Sequence, residues 1–296
     1  MDVKMIVIGL LIGLLVGLGV GYAIKPQIQS NQNNELSGTI IVKGSNTLLI
    51  VAQRWAENFS SLHPQVNIPV SGEGSGVGFQ ALAAKTTDIA DASREIKASE
   101  VNACKANGVN PVEWVVGLDG ISIVAHPSNP VTNLTMTQLE MIFNGTYTNW
   151  NQVGGNNAPI ITYGRESTSG TYEYFKETVL HKQDFRADII TSTGSKPIVE
   201  AVETQPNGIG YVGVAYTKQG ANIKTIALKI TDTATLYQPT ITNIKSGDYP
   251  LARKLYIYTD DKITELLDAY ISFMLGSKGQ QILEDNDYIS YVKLEK

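Results

Sequence analysis

Four short segments of this chain combine glycine with hydroxyl side chains. They are GSNTL (Gly44 to Leu48), GEGSGVG (Gly72 to Gly78), DIADASRE (Asp88 to Glu95) and GRESTSGTY (Gly164 to Tyr172). Each sits at the end of a β-rich run, and most lead into a stretch with helical spacing of apolar residues. A helix start leaves backbone N–H groups unpaired and carries the positive end of the macrodipole. Glycine lets the backbone close on a ligand, and Ser or Thr adds hydroxyl donors. This is chemistry for holding an anion. An anion at one such end gains up to about 2 kcal/mol in a partly buried geometry. Several ends converging with a guanidinium reach the roughly 8 kcal/mol of micromolar binding.

Taken singly, each turn has a plainer reading. GSNTL works as a strand-to-helix turn capped by Ser45 or Asn46. GEGSGVG fits neither the dinucleotide fingerprint nor the P-loop, since no Gly-Lys-Ser/Thr follows it. Arginine sharpens the pattern. The chain has only Arg54, Arg94, Arg165, Arg186 and Arg253, and two of them, Arg94 and Arg165, fall inside the Ser/Gly-rich turns. There a planar, bidentate donor suits a tetrahedral oxyanion. The neighbouring Glu95 and Glu166 allow the other reading, two structural ion pairs.

Bond-breaking chemistry finds less support. His63, His126 and His181 lie far apart in no ligand-spaced motif, and no G-x-S-x-G elbow occurs. Cys104 is the single cysteine, which excludes an intrachain disulfide and a thiolate metal cluster. A binding protein with no catalytic residues, metal or cofactor is therefore expected. A formal net charge of -5 argues against a nucleic-acid partner but leaves a small anion open, because local donors outweigh screened distant charge. Trp55, Trp114, Trp150 and 14 tyrosines would suit carbohydrate stacking, but Trp55 falls at helical spacing with Leu48 and Val51, so core packing is expected of it.

The elements that must position these turns follow an α/β alternation, with 43% hydrophobic and 17% charged residues. GTIIVKG, VNIPVSG, TTDIADAS, PIITYG, GIGYVGVAY, IKTIALK and LARKLYIYT read as strands, and WVVGLDGISIVAHP as a β run long enough to pass between lobes. Helices are expected over TLLIVAQRWAENFSSL, GFQALAAK, ASEVNACKANG (closed by Gly108), TMTQLEMIF, GTYEYFKETVL, SKPIVEAVET, ITELLDAYISFML and GSKGQQILED. Ahead of this body, Met5 to Ile24 is an uncharged run of 20 residues, about 30 Å as a helix. A retained transmembrane anchor is expected, with cleavage near Gly21-Tyr22-Ala23 as the alternative. No cysteine follows to carry a lipid, and Gln27 to Leu36 reads as a flexible tether. Sequons at Asn58, Asn133 and Asn144 agree with an outside location.

The four turns, in this order and spacing, resemble those of the phosphate-binding receptors of ABC importers, the PstS-like family. The likeness continues through DGISIVAHPSNPV, LEMIFNGTYTNW, SGDYPLARKLYIYT and FMLGSKGQQILEDNDYI, and GRESTSGTYEYF is its most specific piece. It implies a periplasmic-binding-protein-like clamp (type II) of two α/β lobes joined by two hinge crossings. The expected division is anchor 1–25, linker 26–37, lobe I at 38–118 plus 250–296, and lobe II at 119–249. The ligand implied is inorganic phosphate, and the partners are the permease subunits of an importer at the outer membrane face. By the same resemblance, Ser45, Thr47, the Leu48 N–H, Ser75 and Ser93 bind from one lobe. Arg165, Ser169, Gly170 and Thr171 close from the other.

One branch of the family places an aspartate after the serine of the third turn, where it accepts the proton of phosphate and rejects sulfate. Here that position is Arg94, as in the Ser-Arg-Glu branch. Asp119 is the expected replacement acceptor or partner of Arg94, with Asp91 and Glu166 as further alternatives. A receptor for another tetrahedral oxyanion (sulfate, tungstate) and a phosphate-ester hydrolase on the same scaffold are the competing functions.

Overall fold

The computed structural model describes residues 35–218 and 222–291. The expected membrane span, its cleavage triplet and the tether up to residue 34 lie outside the described residues. Among the described residues no helix is long and apolar enough to cross a membrane.

Twelve strands appear among the described residues: β1 (Gly38–Thr39), β2 (Val42–Gly44), β3 (Val66–Asn67), β4 (Val70–Ser71), β5 (Ile89–Ala92), β6 (Pro111–Ala125), β7 (Asn133–Thr135), β8 (Ile161–Arg165), β9 (Ile190–Ser192), β10 (Gly208–Gly213), β11 (Lys224–Lys229) and β12 (Ala252–Asp260). The main sheet runs β4-β2-β5-β12-β6-β10-β8-β9, with β11 pairing β6 and β7. Parallel pairs form its two flanks, β4-β2-β5 on one side and β10-β8-β9 on the other. Between them run the two long antiparallel strands. β6 pairs β12 over Pro111 to Gly120, then pairs β10 over Ile121 to Ala125. The stretch expected to cross between lobes is thus one strand of 15 residues.

Among the described residues the apolar core falls into four clusters, and the two largest sit on the two flanks. The first gathers Val42, Val51, Trp55, Phe59, Ile257 and Tyr270, the second Ile121, Leu134, Phe143, Trp150, Phe175 and Tyr211. The helix Leu49–Leu62 shows why its sequence folds this way. Val51, Ala52, Trp55, Ala56 and Phe59 recur at helical spacing and are its buried residues. Trp55 is 1% exposed, and its indole N–H donates to the Gly279 carbonyl at 2.7 Å, so it is a core residue as its spacing implies. In the second core, the rings of Phe175 and Tyr211 stack at 4.2 Å and 15°. This packs the helix Gly170–Thr178 onto the sheet directly behind the fourth turn.

The short strands β7 and β9 and the helix Ile241–Ser246 are absent from the sequence reading. At two or three residues a strand shows no period, and the helix is one turn and a half, held by Thr240 accepting from the Asn243 N–H.

Candidate functional site

The four turns meet along one seam of the sheet. In the first, Gly44 has φ +144°, and a Cβ there would lie 2.2 Å from the Asp91 carbonyl oxygen, so the turn needs glycine. The Ser45 N–H donates to that carbonyl at 2.9 Å and to Asp91 Oδ1 at 2.6 Å. The Leu48 N–H, expected as a ligand donor, donates at 3.1 Å to the Ser45 carbonyl and closes the turn. In the second, Gly74 has φ +114° and donates to the Gly44 carbonyl at 2.6 Å, which ties the two turns together. The helix Ser75–Ala83 then starts with no side-chain cap, because its N-cap is this glycine.

From the third turn, the Ser93 N–H donates to Ser75 Oγ at 3.2 Å, while Ser93 Oγ is buried with no partner. The fourth arrives from the opposite flank. Ser169 caps the helix Gly170–Thr178, accepting from the Thr171 and Tyr172 N–H groups. A Cβ on Gly170 would lie 2.3 Å from Ser75 Oγ and 2.7 Å from Ser93 Oγ. The Thr47 and Thr171 hydroxyl oxygens are 2.9 Å apart. Ser45, Thr47, Ser75, Ser93, Ser169 and Thr171 are all at most 2% exposed. Other contacts cross the same seam: the Gly76 N–H donates to the Thr168 carbonyl at 3.1 Å, and the Ser195 N–H to Asn46 Oδ1 at 3.2 Å.

The charged residues sort differently from the expectation. Arg94 forms a two-pronged pair with Glu100, Nη1 to Oε2 at 2.8 Å and Nη2 to Oε1 at 2.6 Å, and lies 5.0 Å over the Phe79 ring. Asp119 is therefore not its partner. Asp119 is fully buried and pairs with Arg253 at 2.7 Å, while its Oδ1 accepts from the Val214 N–H at 3.1 Å. Sequence reasoning passed over Arg253 because it lies in none of the glycine-rich turns.

Arg165 is 2% exposed, donating to the Thr193 carbonyl at 2.8 Å and to Ser195 Oγ at 3.3 Å, with Nε unpartnered. Burial pushes its pKa down from the usual guanidinium value. Asp91 is buried with Oδ2 unpartnered, and desolvation pushes its carboxyl up to about 7 against the bond from Ser45. Glu166 is exposed. Among the described residues, no group of three or more His, Cys, Asp or Glu is placed to hold a metal.

The arrangement offers hydroxyl groups and helix N-termini from both flanks, backed by buried guanidinium groups. Such a set can desolvate and hold a small oxyanion, because each donor is fixed before the ligand arrives.

Comparison with known proteins agrees with this chemistry. The model of a PBP superfamily domain matches residues 29–278. The phosphate-binding protein PstS of Pseudomonas aeruginosa is 34% identical over 285 residues, covering 90% of this chain and 88% of that protein. The PstS of Staphylococcus epidermidis is 31% identical over 271 residues, covering 89% and 82%. Among solved structures, a Clostridium perfringens protein described as a phosphate ABC transporter substrate-binding protein, with bound phosphate, superposes with TM-score 0.78 at 29% identity, covering 86% of this chain and all of that one. An ABC-type phosphate transport receptor from Vibrio cholerae gives TM-score 0.70 at 28% identity, covering 84% and 99%.

Proposed function

This chain belongs to the PBP superfamily, in the branch of the PstS phosphate-binding proteins, and from that membership we propose that it captures inorganic phosphate in the seam between its two flanks and hands it to an ABC importer. The observation that carries this is the meeting of Ser75 and Ser93 with Gly170, and of Thr47 with Thr171, across that seam. Turns separated by up to 124 residues of chain supply hydroxyl donors to one small volume. Thr47, Ser75, Ser93 and Thr171 are the proposed hydroxyl ligands. The Gly170 N–H, at the start of a helix, adds a backbone donor, and Arg165 the balancing charge. Ser45, Leu48 and Ser169 shape the turns that present them.

The proposed lobes are residues 38–118 with 250–296, and 119–249. The two largest apolar clusters, each drawn mostly from one lobe, and the shared strands β6 and β12 support that division. Closure of the lobes shuts phosphate from water, where each charge-assisted bond contributes about 1.5–3 kcal/mol. A permease that contacts both lobes then distinguishes the closed, loaded form from the open one by differential affinity. Binding proceeds without bond breakage in this reading. The proposed location is the outer membrane face, with residues 5–24 as a retained anchor.

A second reading, a receptor that also takes sulfate or another tetrahedral oxyanion, rests on one feature. Arg94 stands where a family aspartate would accept the proton of phosphate, and both Asp119 oxygens already accept from Arg253 and Val214. Titration calorimetry of the ligand-stripped protein with phosphate and then sulfate, across roughly pH 5 to 8, separates the readings. Tight phosphate binding that sulfate cannot match supports the first. Equal binding supports the second, and heat from neither overturns both.

A further inference from the structure

Arg253 and Asp119 stand directly opposite each other in the register of β12 and β6, the two strands shared by both flanks of the sheet. Asp119 Oδ2 accepts from Arg253 Nε at 3.0 Å and from Nη2 at 2.7 Å, and the Ser93 carbonyl accepts from Nη1 at 3.1 Å. Nη2 also reaches the Thr171 hydroxyl oxygen at 3.1 Å and the Thr47 hydroxyl oxygen at 3.3 Å. With one Nη2 hydrogen committed to Asp119, the other is shared between the two threonines.

A guanidinium has no acceptor, so each threonine oxygen is approached by a donor from the Arg253 side. The hydroxyl hydrogens must turn elsewhere. At an oxygen separation of 2.9 Å one hydrogen closes the bond between the threonines, and the other is left without an acceptor in that pair. An oxyanion entering beside them can take both hydrogens. A hydroxyl left to itself accepts as readily as it donates, and here the arginine biases it toward donating. Asp119 neutralises the guanidinium charge, so the effect runs through the hydroxyl groups and not through added positive charge on the ligand.

We propose that Arg253, held in place by Asp119, is the positioning residue of this site: it makes donors of Thr47 and Thr171, one from each side of the seam, and so ties closure of the seam to the two crossing strands. The proposal deepens the oxyanion-receptor reading and rests on it.

Arg253→Lys keeps a charge for Asp119 but loses the planar fork, since one ammonium cannot reach Asp119, Ser93 and both threonines together. Arg253→Met/Asp119→Leu removes both buried charges at once, a replacement that leaves folding near neutral. Both variants, Thr171→Val and the combination Arg253→Lys/Thr171→Val are titrated with phosphate in the full chain. Spin labels on Gln53→Cys and Asn151→Cys, both exposed positions, report the distance across the seam, and the buried Cys104 stays unlabelled.

Arg253→Lys is expected to weaken phosphate binding about ten- to a hundredfold. Arg253→Met/Asp119→Leu should match that loss while melting close to wild type. Adding Arg253→Lys to Thr171→Val should cost clearly less than Arg253→Lys costs alone, because the arginine acts through that hydroxyl. Additive losses, or affinity within about twofold of wild type in Arg253→Lys, overturn the proposal. Should the wild type bind no phosphate, the receptor reading falls and the labels decide the rest. A longer label distance in unliganded Arg253→Lys then sustains Arg253 as the tie across the seam, and an unchanged distance refutes it.

Discussion

The most exposed consequence of the site's construction concerns Asp91, a carboxyl buried beneath the first turn. It lies on β5 between β2 and β12, 2% exposed, with Oδ1 accepting from the Ser45 N–H at 2.6 Å and Oδ2 unpartnered. Burial raises its pKa from 3.8 to about 7, and the Ser45 bond only partly offsets this. The sign follows from linkage. Between these values the folded protein holds a proton that the unfolded chain has released, so stability falls as pH rises through that window. The contribution is complete below the unfolded pKa and levels off above about 7.

Each tenfold change in proton affinity is about 1.36 kcal/mol, so the change from 3.8 to about 7 corresponds to at most about 4 kcal/mol. Local relaxation and water entry reduce that, and on the order of 2–4 kcal/mol is expected. Asp91→Asn keeps the acceptor for Ser45 and removes the titration. It places an amide N–H₂ where Oδ2 was, at a roughly constant cost of about 1–3 kcal/mol. The observable is therefore a slope. The melting temperature of wild type minus that of Asp91→Asn should fall by roughly 5–10 °C between about pH 4 and 7.5, since about 1 kcal/mol moves a chain of this size by 2–4 °C. Subtraction cancels groups that titrate in both proteins, including Asp184 and Asp188, whose pKa values hydrogen bonds to Lys176 and Arg186 hold low. Parallel curves over that range would mean that Asp91 titrates normally and that its burial costs nothing.

Two further outcomes follow from the geometry. Gly170→Ala forces a Cβ to within 2.3 Å of Ser75 Oγ and 2.7 Å of Ser93 Oγ, so the seam cannot close over a ligand. Calorimetry should show phosphate affinity down about a hundredfold or more, with far-ultraviolet circular dichroism unchanged, and retained affinity would place the ligand elsewhere. Arg165→Ala removes the buried guanidinium of the fourth turn and should weaken phosphate binding by a similar factor, since a buried anion then lacks its countercharge. Near-wild-type titration would take Arg165 out of the site.

The turns were readable because glycine, serine and threonine cluster where a backbone must bend and donate at once. Gly44 and Gly74 do adopt positive φ, and Gly170 stands where no Cβ fits. The core helices were readable for the same local reason: Val51, Trp55 and Phe59 announce a buried face by spacing alone. Pairings across the sheet carry no such mark. Arg94 had its partner six residues away at Glu100, inside a polar helix start that looked like any solvated surface. Asp119 and Arg253 are 134 residues apart on strands whose alternation reads only as β structure. Their meeting is fixed by the register of β6 against β12, which depends on how two distant runs bury their apolar faces. A one-residue slip would turn Arg253 to the opposite face and leave the Asp119 carboxylate buried alone, at a cost of about 3–5 kcal/mol. The ion pair therefore penalises every neighbouring register of the crossing strands. The same pair sets the line along which the threonines of the two flanks are brought together.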